Sequence, residues 1–141
     1  MENQENDYHI VLFPWLAFGH VIPFLELSKS FASQGGIKIS FISTPSIIGR
    51  LPPIHPPSLK SLIDLMSIVL PSVDKLPAGC EATVDLKDEE QMQYLKKAYD
   101  ELQAPVELLL NQIKPDLIIF DLINCWIPNV GAVIFVEQVF H

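Results

Sequence analysis

The chain has 141 residues, 49% of them hydrophobic and 18% charged, with nine Lys and Arg against seventeen Asp and Glu and a formal net charge of −8. A mean hydropathy of +0.29 excludes intrinsic disorder, and the length suits one domain that buries roughly two-thirds of the unfolded chain's surface. The acidic balance, with no basic cluster beyond Lys96-Lys97, argues against nucleic acid and against an anionic membrane surface as partners.

The two cysteines, Cys80 and Cys125, form no CxxC motif or disulfide framework. The four histidines, His9, His20, His55 and His141, have no zinc-site spacing, so no metal is expected. The first residues, Met1 to Asp7, are acidic where a signal peptide carries basic residues. The most apolar stretch, Leu117 to Phe140, is broken by Asp121, Asn124, Pro128, Asn129 and Glu137. A membrane-spanning helix needs about 20 nearly uninterrupted apolar residues. The expectation is therefore a soluble, cytoplasmic protein with no transmembrane segment.

In chain order, His9 to Phe13 is an apolar run of the kind that is buried on both faces of a parallel sheet. A loop from Pro14 to His20 follows. Pro23 then reads as a first-turn proline, and Phe24, Leu25, Leu27, Phe31 and Ala32 make a helical stripe that Gly35-Gly36 ends. Lys38 to Ser43 is a second strand, which completes a β-α-β unit. Thr44-Pro45-Ser46 reads as the N-cap and first turn of a very short helix reaching Arg50. The proline-rich run Leu51 to Pro57 is an extended loop. A third strand is expected over Ile63 to Leu70 and a loop over Ser72 to Asp85.

The strongest helical signal lies between Asp88 and Ile113, where Met92, Leu95, Tyr99, Leu102, Val106, Leu109 and Ile113 recur at spacings of three and four. Asp88, Glu89 and Glu90 favour its N-terminal end, and Pro105 should kink it or split it in two. Leu117 to Asp121 is the last clear strand. This alternation describes a Rossmann-like, doubly wound α/β domain. Ligands in such sheets bind beyond the carboxyl ends of the strands, where strand order reverses.

His20 and Asp121 are polar residues at such ends, and a strand order 3-2-1-4 lets them meet. A neutral imidazole oriented by a carboxylate is a general base, and with no nucleophile of the protein's own beside it, the nucleophile is a substrate hydroxyl. Taken alone, His20 also reads as a structural histidine and Asp121 as a cap for the following helix. The loop after the first strand holds one glycine, Gly19, with no pyrophosphate cradle and no Walker lysine, which disfavours NAD, flavin or ATP. Trp15 and Phe18 suit a flat apolar ligand, and equally suit packing of the loop onto the helix.

The run Phe13 to Lys29 (Phe-Pro-Trp-Leu-Ala-Phe-Gly-His-Val-Ile-Pro-Phe-Leu-Glu-Leu-Ser-Lys) closely resembles the opening of plant family-1 UDP-glycosyltransferases. Ile39 to Pro45 and Arg50-Leu51-Pro52 do so as well. Gln93 to Ala98 and Pro115 to Asp121, with the Trp-Leu-Ala-x-Gly-His form, resemble the branch-forming subgroup that adds a sugar to a sugar already on a glycoside. The resemblance implies the N-terminal half of a GT-B glycosyltransferase, with residues 1–128 a partial acceptor-binding domain. It implies that His20 deprotonates the acceptor hydroxyl, that Asp121 pairs with His20, and that Trp15, Phe18, Gly19, Leu122 and Ile123 line the acceptor pocket. The oxygen then attacks the anomeric carbon of a UDP-sugar, with inversion. The acceptor is a small molecule, a flavonoid, triterpenoid or other glycoside, and neither a metal nor a cofactor is implied beyond the UDP-sugar donor. The resemblance fades over 129–141, a divergent hydrophobic tail, and the C-terminal UDP-sugar-binding domain is absent from the 141 residues. The alternative expectation is accordingly an inactive truncated chain that at most binds a hydrophobic acceptor.

Overall fold

Parallel pairing of apolar strands organises the molecule, and the computed structural model describes residues 8–121 together with the strand Ala132–Val136. The elements are β1 (Tyr8–Phe13), α1 (Phe18–Ala32), β2 (Ile37–Ser43), α2 (Pro45–Gly49), β3 (Ile63–Ser67), α3 (Met92–Asp100), α4 (Gln103–Ile113), β4 (Leu117–Asp121) and β5 (Ala132–Val136). All pairings are parallel, in the order β3-β2-β1-β4-β5. The expected Rossmann-like doubly wound sheet is thus present, and β1 and β4 are the neighbours between which strand order reverses.

β1 is flanked on both edges, with Ile10 beside Ile39 of β2 and beside Leu117 of β4. Ile10 to Phe13 are all buried, as a strand covered on both faces requires. Val21, Phe24 and Leu25 of α1 and Leu95, Tyr99, Val106 and Leu110 of α3 and α4 join the same core. The Phe13 and Tyr99 rings stack at 5.3 Å. At the other end of the sheet, the backbone N–H groups of His9 and Asp116 donate to the Asp116 carboxylate and the His9 carbonyl respectively, both at 2.8 Å.

Three local expectations need correcting and a fourth is placed more closely. α1 begins at Phe18, so Pro23 lies inside the helix rather than in its first turn. The bond that Pro23 cannot donate would have gone to the carbonyl of Gly19, an exposed residue at the helix start, where water can serve instead. β3 stops at Ser67 instead of Leu70 because its partner ends: Ser43 is opposite Ser67, and the Ile68 N–H makes the closing bond to the Ser43 carbonyl at 2.8 Å. The long helix is split in two as expected, with the break at Glu101-Leu102, just ahead of Pro105, which then occupies the first turn of α4, where its missing N–H is not needed. Finally, Ala132–Val136, within the stretch read as a divergent tail, adds a fifth strand beside β4.

The N-cap expected at Thr44 is present, and Asp88 supplies another. Thr44 caps α2, its Oγ1 accepting from the Ile47 N–H at 3.4 Å, and Asp88 caps the turn before α3, its Oδ1 accepting from the Gln91 N–H at 3.1 Å. α4 ends on Lys114 in the left-handed conformation, φ 53°, and this turn reverses the chain into β4. Among the described residues no helix is long and apolar enough to cross a membrane.

Candidate functional site

Asp121 is the last residue of β4, one step beyond the register pair of Phe13 with Phe120, at the carboxyl edge of the sheet. Its side chain is 6% exposed, and both oxygens are engaged. Oδ2 accepts the backbone N–H of Trp15 at 2.6 Å, while Oδ1 lies 3.2 Å from His20 Nδ1. A carboxylate only accepts, so this contact assigns a proton to Nδ1, and in the neutral imidazole the lone pair is on Nε2.

His20 is the third residue of α1. The helix starts there because Ala17 is extended (φ −128°, ψ 133°) and its carbonyl accepts the N–H groups of His20 and Val21, both at 2.8 Å. The His20 side chain is 22% exposed, against a buried partner, so the imidazole is the face of the pair that meets solvent. Gly19 beside it is exposed, and among the described residues a Cβ placed there would meet nothing within 4 Å.

The loop between β1 and α1 is held from three sides. The Tyr99 hydroxyl donates to the Pro14 carbonyl at 3.0 Å in a buried site, and the Trp15 ring meets Tyr99 edge-on at 4.9 Å. The Thr83 N–H donates to the Leu16 carbonyl at 2.8 Å. Trp15 is only 7% exposed, so of the two readings of its ring the structure displays packing, with its backbone serving Asp121. Phe18 is partly buried against the core, with the Arg50 guanidinium 5.3 Å from its ring centroid.

The structure thus brings His20, Asp121, Trp15, Phe18 and Gly19 to one edge of the sheet, and Leu122 and Ile123 lie outside the described residues. A cavity of about 180 Å³ within the 70–81 loop, lined among others by Leu70, Val73, Leu76, Cys80 and Glu81, includes neither His20 nor Asp121. Among the described residues no group of three or more His, Cys, Asp or Glu is placed to hold a metal ion.

Sequence reasoning missed the supporting residues. Tyr99 is recognisable as part of the helical stripe, but its hydroxyl partner is 85 positions away. Arg50 falls inside a quoted motif, yet nothing local indicates Asp85 as its partner, 35 positions on.

No family model matches the chain. In sequence it is similar to plant UDP-glycosyltransferases. It is 49% identical over 124 residues to UDP-glycosyltransferase 91A1 of Arabidopsis thaliana, a match covering 87% of this chain and 26% of that protein. It is 44% identical over 132 residues to UDP-glycosyltransferase 91D1 of Stevia rebaudiana (94% and 26% covered) and 35% identical over 126 residues to the soyasaponin III rhamnosyltransferase of Glycine max (89% and 26%). The chain spans about a quarter of the length of these curated relatives. Among solved structures it resembles Glycyrrhiza uralensis UGT73P12 complexed with glycyrrhetinic acid 3-O-monoglucuronide (TM-score 0.68, 23% identity, 81% of this chain and 24% of that one). It also resembles Arabidopsis thaliana UGT89C1 complexed with UDP-L-rhamnose (TM-score 0.69, 21% identity, 86% and 31%). At these identities the structural likeness is one of fold, the GT-B fold of the transferases.

Proposed function

We propose that this chain is the acceptor-binding part of an inverting UDP-glycosyltransferase in which His20 is the general base and Asp121 its orienting partner. The observation that carries the reading is the 3.2 Å contact of His20 Nδ1 with a buried carboxylate, at the point where strand order reverses. His20 Nε2 takes the proton of an acceptor hydroxyl. The freed oxygen pair attacks the anomeric carbon of the sugar while the bond from that carbon to UDP breaks, and UDP departs with the electrons. Asp121 stabilises the imidazolium that forms and fixes its direction. Phe18 and Gly19, with Trp15 behind them and Leu122 and Ile123 after Asp121, are assigned to the acceptor side. The UDP-sugar is assigned to a second, C-terminal domain of the complete enzyme, with no cofactor or metal in the reaction.

The finer reading is sugar-on-sugar transfer to a small-molecule acceptor, a flavonoid, triterpenoid or other glycoside of plant secondary metabolism, in the cytoplasm. The Trp15 to His20 motif supports it, as does similarity to a soyasaponin rhamnosyltransferase. The test is transfer from UDP-glucose or UDP-rhamnose to a flavonoid glucoside by a complete enzyme carrying this segment. His20→Ala is expected to abolish it, and retained transfer would overturn the assignment.

A second reading concerns the 141 residues alone. Because they span about a quarter of their relatives' length, we propose that by themselves they at most bind a hydrophobic acceptor and do not turn over donor. Release of UDP by the purified chain in the presence of an acceptor would overturn this.

A further inference from the structure

We infer that Arg50 is a positioning residue for His20, acting through the Phe18 ring and, by way of Asp85, through the 81–86 segment. The role given to His20 rests on the reading above, whereas the positioning itself stands on contacts within the chain.

Arg50 follows α2 and is exposed, with 38% of its side chain open to solvent, yet most of its donors are committed. Nη1 and Nη2 donate to the two oxygens of Asp85 at 3.0 and 2.8 Å, a bidentate pair. Nη2 also donates to Ser46 Oγ at 2.6 Å, and Nε to the Ser46 carbonyl at 3.3 Å. The guanidinium lies over the ring of Phe18, the first residue of α1, two positions before His20.

The carboxylates on the other side close the network. Glu81 Oε1 accepts the Ser46 N–H at 2.9 Å, and Asp85 Oδ2 accepts the Glu81 N–H at 3.3 Å. From the same turn the Thr83 N–H reaches the Leu16 carbonyl at 2.8 Å, inside the loop that Asp121 holds at Trp15. The start of α1 is therefore gripped at Leu16 by the 81–86 segment and at Phe18 by Arg50, and the Arg50–Asp85 pair couples the two grips.

Stability alone gives this arrangement little purpose, because an exposed ion pair contributes little to folding. A planar bidentate clamp instead specifies geometry, and it does so beside the one acid–base pair at this edge of the sheet among the described residues. The mutual hydrogen bonds also move both groups in the direction of staying charged: Arg50 is raised and Asp85 lowered from their ordinary values.

The test uses the 141-residue chain with Arg50→Ala, Arg50→Lys and the exchanged pair Arg50→Asp with Asp85→Arg. Amide exchange at Thr83 and the His20 imidazole resonances are followed by NMR, with thermal unfolding measured alongside. Arg50→Ala is expected to speed Thr83 exchange by about 10-fold or more and to move the His20 resonances, while Tm falls by only about 3 °C or less. Arg50→Lys should fall between, since an ammonium cannot make the planar pair, and the exchanged pair, which re-forms the ion pair but leaves no guanidinium over Phe18, should slow Thr83 exchange relative to Arg50→Ala without restoring the His20 resonances. Unchanged Thr83 exchange and unchanged His20 resonances in Arg50→Ala would overturn the inference. His20→Ala is expected to leave Thr83 exchange as in the wild type. If a complete His20→Ala enzyme retains transfer, the reading of His20 as base fails while the clamp stands on the exchange data.

Discussion

The backbone N–H of Trp15 and the carboxylate of Asp121 meet at 2.6 Å across the carboxyl edge of the sheet, joining the loop after β1 to the end of β4. One oxygen of Asp121 thereby holds the chain segment that launches α1, and the other faces the imidazole carried by that helix. The same carboxylate sets both where His20 stands and how its ring is turned.

Separating these two duties is possible by substitution. Asp121→Asn can still accept the Trp15 N–H but presents an amide donor toward His20 Nδ1, which reverses the tautomer. Folding stability is expected to stay within about 1 kcal/mol of wild type, with transfer by the complete enzyme reduced by about 100-fold or more. Asp121→Ala also leaves the Trp15 N–H buried without a partner and should cost about 1–3 kcal/mol. Urea unfolding of the two variants beside transfer assays checks the order.

Tyr99→Phe removes one oxygen from a buried hydrogen bond to the Pro14 carbonyl and leaves the ring packing against Phe13 and Trp15 in place. The expected loss is about 1–2 kcal/mol, read as a lower urea midpoint at constant slope. An unchanged midpoint would mean that the carbonyl finds water at no cost.

His9 supplies a pH dependence distant from the site. Its Nε2 lies 2.8 Å from Ser40 Oγ, and partial burial, then the charge of Lys38, hold its titration below the ordinary imidazole value, while Asp116 and Asp64 act the other way. The unfolded chain therefore binds a proton at His9 more tightly than the folded one. This contribution to stability is complete above about pH 6.5 and is lost as pH falls through the folded value. Urea midpoints between pH 7.5 and 5 should decline, and His9→Gln should flatten that limb. A separate loss belongs at lower pH, where Asp85, held down by its hydrogen bonds to Arg50, is protonated.

Ser43, at the end of β2, carries a buried hydroxyl with no hydrogen-bond partner among the described residues. Replacing it by Ala removes an unsatisfied group, so Ser43→Ala is expected to leave stability unchanged or raise it by up to about 1 kcal/mol. A fall of more than that in thermal or urea unfolding would show that the hydroxyl has a role in the fold.

Much of this arrangement is legible in the residues. β1, β2 and β4 are continuous apolar runs, and His20 and Asp121 stand out as polar residues where apolar segments end. The α3–α4 stripe reads correctly as a helical face, although the break follows the chain's geometry at Glu101-Leu102 and leaves Pro105 where a helix start tolerates it. β5 was not legible: Ala132–Val136 is a short apolar run among Gly, Asn and Glu residues, and it becomes a strand through the open edge that β4 offers. The role of Trp15 was equally undecided, because an aromatic ring in a loop has the same signature whether it meets a ligand or Tyr99.

By itself the sequence determined the element types from β1 to β4, the helix cap at Thr44, the parallel character of the sheet and the two residues on which the proposed chemistry rests. These follow from interactions spanning a few positions: apolar periodicity, a capping oxygen, a proline's missing donor. The tertiary structure alone decided that Asp121 divides its oxygens between Trp15 and His20, 106 and 101 positions away, and that Arg50 and Asp85 clamp the turn beside them. The two contacts of Asp121 exist only once β1 and β4 are neighbours, and that pairing joins segments about a hundred positions apart, beyond the reach of any local signal.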